Sequence, residues 1–423
     1  MTREMKDSGI EWIGKIPENW EVKKLKYCSS FIQAKYDSEL GELPYIGLEN
    51  IVSWNGNYID TDSVYDRNQS LVFAADDILW GKLRPYLAKV YHAPRNGCCS
   101  GEFCVIRVMD HLDKRYFWNL LITSEFVETV NRSTYGTKMP RANADFIKNI
   151  KVPIPPVDEQ ERIACFLDSE CSRIDAVIEK TRASIEEYKK LKQSVITEAV
   201  TKGIRPNRQM KDSGIEWVGD MPIEWESINP KALFSQRKEK AKAGERQLTA
   251  SQQYGVIYQD EYMEVTGNKI VTVEKDFDIL KHVEAGDFVI SMRSFQGGLE
   301  YSTNTGSISS AYVMLIPNLE KVYPWYYRWL LKSSVYINAL QSTTNMVRDG
   351  RAMRYANFIK VRLFSVPLDE QKEIADYLDE KCAEMDTLIA RKEQLLFEME
   401  NYKKSLIFEY VTGKKEVTSA PTY

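Results

Sequence analysis

The sequence predicts a mixed α/β (α+β) protein: two globular domains joined by two long helices that form an intramolecular coiled coil, the whole a pseudo-twofold internal repeat. Three observations carry that prediction. Two framing segments each occur twice in the same order, two stretches of some forty residues carry one matching apolar seam, and the blocks between them hold short β-type runs bounded by turn residues.

The repeat comes first, because a missed repeat misassigns the whole fold. Residues 5–21 read MKDSGIEWIGKIPENWE and residues 210–226 read MKDSGIEWVGDMPIEWE, an offset of 205. A second match starts at Asp158-Glu159-Gln160 and Asp369-Glu370-Gln371, at an offset of 211, and runs without a gap to Val200-Thr201 and Val411-Thr412. Between the matched ends, residues 22–151 and 227–360 share only landmarks such as Phe146-Ile147-Lys148 and Phe358-Ile359-Lys360. Two separate matches in one order exclude chance.

The segments from 158 and 369 read as helices. Prolines precede each (Pro153, Pro155, Pro156; Pro367), acidic residues fill each first turn, and Gly203 and Gly413 close them, as helix termini favour. Alternating steps of four and three from Leu167 give Leu167, Cys171, Ile174, Ile178, Thr181, Ile185, Tyr188, Lys192, Val195 and Ala199. The same register 211 residues on gives Leu378, Cys382, Met385, Ile389, Lys392, Leu396, Met399, Lys403, Leu406 and Tyr410, and eight of ten are apolar in each. Such a spacing is a coiled-coil seam. A seam this long needs a partner, and the other copy is the nearest one; two helices packed separately on their own domains is the alternative.

In the interiors, Asp77–Trp80 and Phe103–Val108 in the first block, and Gly286–Ser291 and Ala311–Ile316 in the second, read as strands. An aromatic-rich amphipathic stretch follows each, 116–130 and 323–340, and reads as helix. Its aromatics fall at helical spacing, which suits a core better than a base-stacking platform.

Composition sets the class. The 423 residues, 43% hydrophobic and 28% charged, suit a folded globular chain with room for two domains. No run is apolar enough for a membrane span and MTREMKDSGIEW lacks a signal core, so the expected location is cytoplasmic. Seven cysteines without paired C-x-x-C spacing read as reduced, mostly buried thiols, and the cluster Cys98, Cys99, Cys104 with His92 and His111 fits no standard zinc spacing. The net charge of −4 argues against a nucleic-acid binder until its distribution is seen: 17 basic against 15 acidic residues in 22–151, 17 against 13 in 227–360, and 23 against 33 elsewhere. Bias of this size also arises from ordinary scatter, so charge supports the repeat and does not replace it.

Catalytic signatures do not emerge. The only Pro-Pro, in Ile154-Pro155-Pro156-Val157, has the wrong flanks for an amino-methyltransferase motif; Thr412-Gly413-Lys414 lacks the upstream glycine of a phosphate loop; and Gly297-Gly298 reads as a tight turn before it reads as a phosphate cradle. The sequence therefore points to a non-catalytic protein with no cofactor or metal of its own.

Taken together, MKDSGIEWIGKIPENWE and its second copy, the VPIPPVDEQERIACFLD and VPLDEQKEIADYLDE openings, and the closing ITEAVTKG and IFEYVTGKK resemble the specificity subunits of type I restriction-modification systems, over essentially the whole chain. The resemblance implies target recognition domains in the two variable blocks and an antiparallel helical spacer between them. It implies binding to a bipartite, asymmetric double-stranded DNA target, to two methyltransferase subunits and, through them, to restriction-translocase subunits. S-adenosylmethionine, ATP and Mg would sit on those partners, and no homo-oligomer is required. The domain division is then 1–151 for the first framing segment and recognition domain, 152–205 for the central helix, 206–360 for the second domain and 361–423 for the C-terminal helix.

One chain with two unlike readers can address two unlike half-sites, where a homodimer is confined to a palindrome. A helix of about 43 residues is at most ~65 Å long at ~1.5 Å per residue, which bounds the offset between readers at roughly 19 base pairs. Within the readers, basic side chains on turn-like segments are the candidate DNA contacts: Lys82, Arg84, Lys138 and Arg141 in the first, Arg293, Arg348, Arg351 and Arg354 in the second. Arg on guanine and Asn or Gln on adenine are the favoured pairings, while a solvated surface charge accounts for any one of these residues almost equally well. A stand-alone DNA-binding regulator, a coiled-coil scaffold and an enzyme with an unfamiliar site are the rival readings.

Overall fold

The first framing segment folds the same way twice because its turn chemistry is local. Met5–Asp7 pairs antiparallel with Lys15–Pro17, and Met210–Asp212 with Asp220–Pro222. In each turn an aspartate carboxylate accepts from the glycine N–H two residues on, at 2.9 Å, and a serine hydroxyl accepts from the isoleucine N–H at 3.0 Å. These side chains substitute for backbone partners as turn residues do. The computed structural model describes residues 3–417 apart from 38–40, 63–69, 137, 271, 274–278, 292–296 and 344–353.

Two units emerge, Met1–Arg182 with Gln394–Tyr423, and Ala183–Glu393. Within the first, Glu21–Lys24 pairs antiparallel with Lys151–Ile154 and ties the two ends of the variable block together. Within the second, Glu226–Ile228 and Leu363–Ser365 do the same. Inside each frame lies a four-stranded antiparallel sheet. Its order is Ser29–Ile32, Phe103–Val108, Ile78–Gly81, Val90–His92 in the first unit. In the second it is Phe234–Arg237, Val313–Pro317, Phe288–Ile290, Glu300–Tyr301. The central strands are apolar runs buried along nearly their whole length, as strands covered on both faces must be. The interiors that share almost no sequence thus share one strand order.

The aromatic stretches are each two helices and not one. Lys114–Leu121 breaks before Ser124–Asn131, and Pro324–Leu330 before Ser334–Ser342. A Thr123 or Ser333 leaves the helical conformation at the break, and the Ser333 hydroxyl accepts from Tyr336 N–H as an N-cap. Tyr116, Phe117, Phe126, Tyr326, Tyr327 and Tyr336 are buried in the cores, which is why the apolar period misled about helix length but not about burial. Gly298, at φ +80°, packs so close to Leu331 that an added Cβ would lie 2.3 Å from its carbonyl oxygen.

The central helix is Val157–Lys202 and the C-terminal helix Leu368–Val411. They pair antiparallel within each unit. In the first, Phe166 meets Tyr410 with ring centroids 4.4 Å apart, and Lys403 meets Asp175 at 2.7 Å. In the second, the Lys392 ammonium lies over the Tyr188 ring at 5.5 Å and Lys192 meets Asp386 at 2.6 Å. All seam positions are wholly or partly covered: Leu167, Ile174, Ile178, Ile185, Leu378, Ile389 and Leu406 are buried, and Val195, Met385 and Leu396 half-buried. The polar seam positions are placed by chemistry. Lys192 and Lys403 keep their stems along the seam and their ammonium groups on the carboxylates of Asp386 and Asp175.

The linear segments 1–151, 152–205, 206–360 and 361–423 do not coincide with these units, because each unit takes part of both helices. The end of one copy's helix docks in the other copy's frame. A Cβ on Gly413 would lie 2.4 Å from Pro17 Cδ, and one on Gly203 would lie 2.7 Å from a Glu370 carboxylate oxygen. The Tyr116 hydroxyl donates to Val411 O at 2.9 Å, and the Tyr326 hydroxyl to Val200 O at 2.8 Å.

Candidate nucleic-acid interface

Beyond the strand Ile78–Gly81 the chain turns along a second segment that is remote in sequence. Lys82 N–H donates to Glu102 O at 2.8 Å, Ala142 N–H to Lys82 O at 2.9 Å, and Arg84 N–H to Pro140 O at 2.7 Å. Tyr135 and Arg141 exchange backbone bonds of 3.2 and 3.1 Å. Lys82, Arg84, Lys138 and Arg141 are therefore brought side by side, as the sequence alone could not show. Arg84, Lys138 and Arg141 are exposed and Lys82 is half-buried.

Aromatic and apolar side chains stand among them. Tyr135 is 63% exposed, Met139 51% and Tyr86 46%. Arg84 and Ala88 flank the single turn Pro85–Leu87 with φ of +50° and +46°. A left-handed backbone at two non-glycine residues costs of order 1 kcal/mol each and clusters where a side chain must be aimed. Arg141 is held by Glu102, Nη2 to Oε1 at 2.6 Å and Nε to Oε2 at 3.0 Å. Cations interleaved with exposed aromatics on one surface can take phosphates and stack on or abut bases. The basic spacing pointed to Lys82 through Arg141; it gave no sign of Glu102, Tyr86 or Tyr135, because only the folded loops set them beside the arginines.

The frame of each unit is fastened by the repeated Asp-Glu-Gln. Glu159 accepts from Trp20 Nε1 at 3.0 Å and from Arg3 at 2.6 and 2.8 Å. Glu370 accepts from Trp225 Nε1 at 3.1 Å and from Arg208. Gln160 and Gln371 accept from the backbone N–H of Asp113 and Tyr323, at 3.0 and 2.7 Å, and so fix the starts of the aromatic helices. The motif is a latch in both copies.

The model of the family described as Type I restriction modification DNA specificity domain matches residues 17–187. A putative type I restriction enzyme MjaX specificity subunit of Methanocaldococcus jannaschii is 24% identical over 429 residues, 96% of each chain. The MjaVIII specificity subunit of the same organism is 27% identical over 231 residues, 52% of this chain, and the match spans half of that relative's length. Over these spans the chain is similar to type I restriction enzyme specificity subunits. A solved structure reported for complex assembly and conformational transition of the type I R-M system has the same fold: TM-score 0.73 at 15% identity, over 95% of this chain and 99% of that one.

In the second unit fewer of the candidate basic residues are visible. Arg354 is exposed and opens the short helix Tyr355–Phe358, its N–H donating to Asn357 Oδ1 at 3.1 Å. Arg293, Arg348 and Arg351 lie outside the described residues. Cys98 and Cys99 are buried on the strand Gly97–Cys99 and Cys104 on Phe103–Val108. Burial pushes the Cys104 thiol up to about 11 and the Cys28 thiol likewise to about 11. Among the described residues no helix is long and apolar enough to cross a membrane, and no group of three or more His, Cys, Asp or Glu could hold a metal.

Proposed function

We propose that the chain is the DNA sequence-specificity subunit of a cytoplasmic type I restriction-modification complex. Each unit reads one half of a bipartite, asymmetric double-stranded target, and the paired helices set the spacing and dock the methyltransferase subunits. One observation carries the reading: two units with the same frame and strand order enclose interiors unlike in sequence. A duplicated scaffold with unlike surfaces suits a protein that must address two different half-sites.

The subunit itself is non-catalytic; two methyltransferase subunits bind it, restriction-translocase subunits join through them, and S-adenosylmethionine, ATP and Mg belong to those partners. Outward faces of the helices supply apolar surface for docking, with Val177, Phe397 and Tyr402 exposed in one unit and Leu191 and Leu388 in the other. The test is a methylome. Adenine methylation mapped in cells carrying the chain and its methyltransferase should fall in a two-part motif, and replacing residues 227–360 with the corresponding block of a relative should change one half of that motif only. Two changed halves, or none, would defeat the assignment. Adding one or two turns to both helices should lengthen the unread gap; an unchanged gap would remove the spacing role.

A further inference from the structure

Given the DNA-reading function proposed above, we propose that Glu102 and Arg141 together read one G·C base pair, with Glu102 the residue that positions Arg141. A guanidinium carries five N–H donors in a rigid plane. Glu102 takes one from Nε and one from Nη2, so three donors remain, and the Nη1–Nη2 edge is left as an intact fork. That edge matches the paired acceptors O6 and N7 of guanine in the major groove. Glu102 thus decides which edge of Arg141 is presented.

The surroundings argue that the carboxylate is there for orientation. The Glu102 backbone bonds that of Lys82 in a segment otherwise rich in cations, where a negative charge weakens attraction to every phosphate backbone alike. Both partners remain accessible, the Arg141 side chain 47% and that of Glu102 31% exposed. Both are mounted on fixed backbone: Glu102 O accepts from Lys82 N–H, and Arg141 is held by its reciprocal bonds with Tyr135. A fork already held in place loses less side-chain freedom on binding than a mobile one. Lys82, Arg84 and Lys138 around it are suited to phosphates, which position without discriminating. Adenine at the same place offers N7 beside an amino donor, which the fork cannot satisfy, so A·T there is expected to bind roughly 5- to 150-fold more weakly.

The experiment is selection from randomised duplexes by the full-length chain assembled with its methyltransferase, followed by sequencing. The wild type should enrich guanine at one position of one half-site. Arg141→Gln should move that single position away from guanine, and Arg141→Lys should lose the preference there because a point charge has no fork. Glu102→Gln should keep guanine first but flatten the preference at that position by roughly fivefold or more. Lys82→Gln should lower capture across all sequences and leave every preference as it was. The proposal is overturned if the Arg141 and Glu102 variants, folded by circular dichroism, lower capture uniformly with base preferences unchanged, as an incidental surface ion pair would. A wild type that enriches no sequence at all would instead remove the DNA-reading function on which the proposal rests.

Discussion

Replacing Glu370 with alanine should unlatch the second unit. Its carboxylate is fully buried and accepts from Trp225 Nε1 and from Arg208, whose side chain is only 10% exposed. Removing one partner of a buried ion pair costs ~3–5 kcal/mol, because the other charge is left without compensation. Arg208 keeps a second contact, to the half-exposed Glu224 at 3.0 Å, which offsets part of the loss, while Trp225 Nε1 is left with a buried donor unmet at about 1 kcal/mol or more. The expected loss is ~3–4 kcal/mol for Glu370→Ala and about half that for Glu370→Gln, which keeps one acceptor. Glu159→Ala should cost less, about 2 kcal/mol, because the Arg3 side chain is 20% and Glu159 10% exposed and water can replace part of the contact. Two units need not unfold together, so the assay is local: hydrogen exchange of the amides in 208–226 and in 3–20 through a urea titration. Protection in 208–226 should fall by roughly 150-fold or more in Glu370→Ala. A loss under 1 kcal/mol at both sites would refute the latch and leave the repeated Asp-Glu-Gln without a structural reason.

The seam makes a contrast between leucines on the same helices: Leu378→Ala should cost ~2–5 kcal/mol, whereas Leu191→Ala, 49% exposed, should stay within about 0.5 kcal/mol, both read by thermal or urea unfolding. Gly298→Ala should destabilise the second unit by more than about 1 kcal/mol, since the new methyl meets a backbone carbonyl and φ is positive; stability equal to wild type would mean the turn can shift. Burial raises Cys28 and Cys104 to about 11, so at pH 8 the thiolate is about one part in a thousand and iodoacetamide should spare both until the chain is unfolded. Modification of either in the native protein at a rate near that of a free thiol would contradict their burial. Lys403→Ala should cost about 1 kcal/mol and Lys192→Ala less, because the Lys403 side chain is 13% exposed against 23%; equal losses would show that exposure does not decide the pair's worth.

Much of the architecture was legible because it rests on short-range rules. Proline, an acidic first turn and a closing glycine mark the termini of the helices, and the structure places them at Val157–Lys202 and Leu368–Val411, one residue from each expected start. The seam register follows from helical period, and every position in it is at least half covered. The same period overran at Thr123 and Ser333, where the backbone leaves the helical conformation, with a side-chain cap at Ser333, while the aromatic spacing continues. The candidate interface was half legible. Basic residues on turns could be picked out, but the contact of 82–84 with 135–142 is a backbone pairing between distant loops, and no local pattern encodes it.

By itself the sequence determined the duplication, the helices, their seam and the absence of recognisable catalytic motifs, because repeats, caps and periodicity act over a few residues and can be read in order. Tertiary structure decided the rest. It gave the unlike interiors one strand order, which depends on long-range pairing of apolar strands and not on residue identity. It also decided that each helix ends in the other copy's frame, where Gly413 meets Pro17 and Trp20 and where Gly203 meets Glu370. Only antiparallel pairing brings those residues together, since the seam is equally apolar in either direction and the choice falls to the ion pairs and docking contacts at its ends.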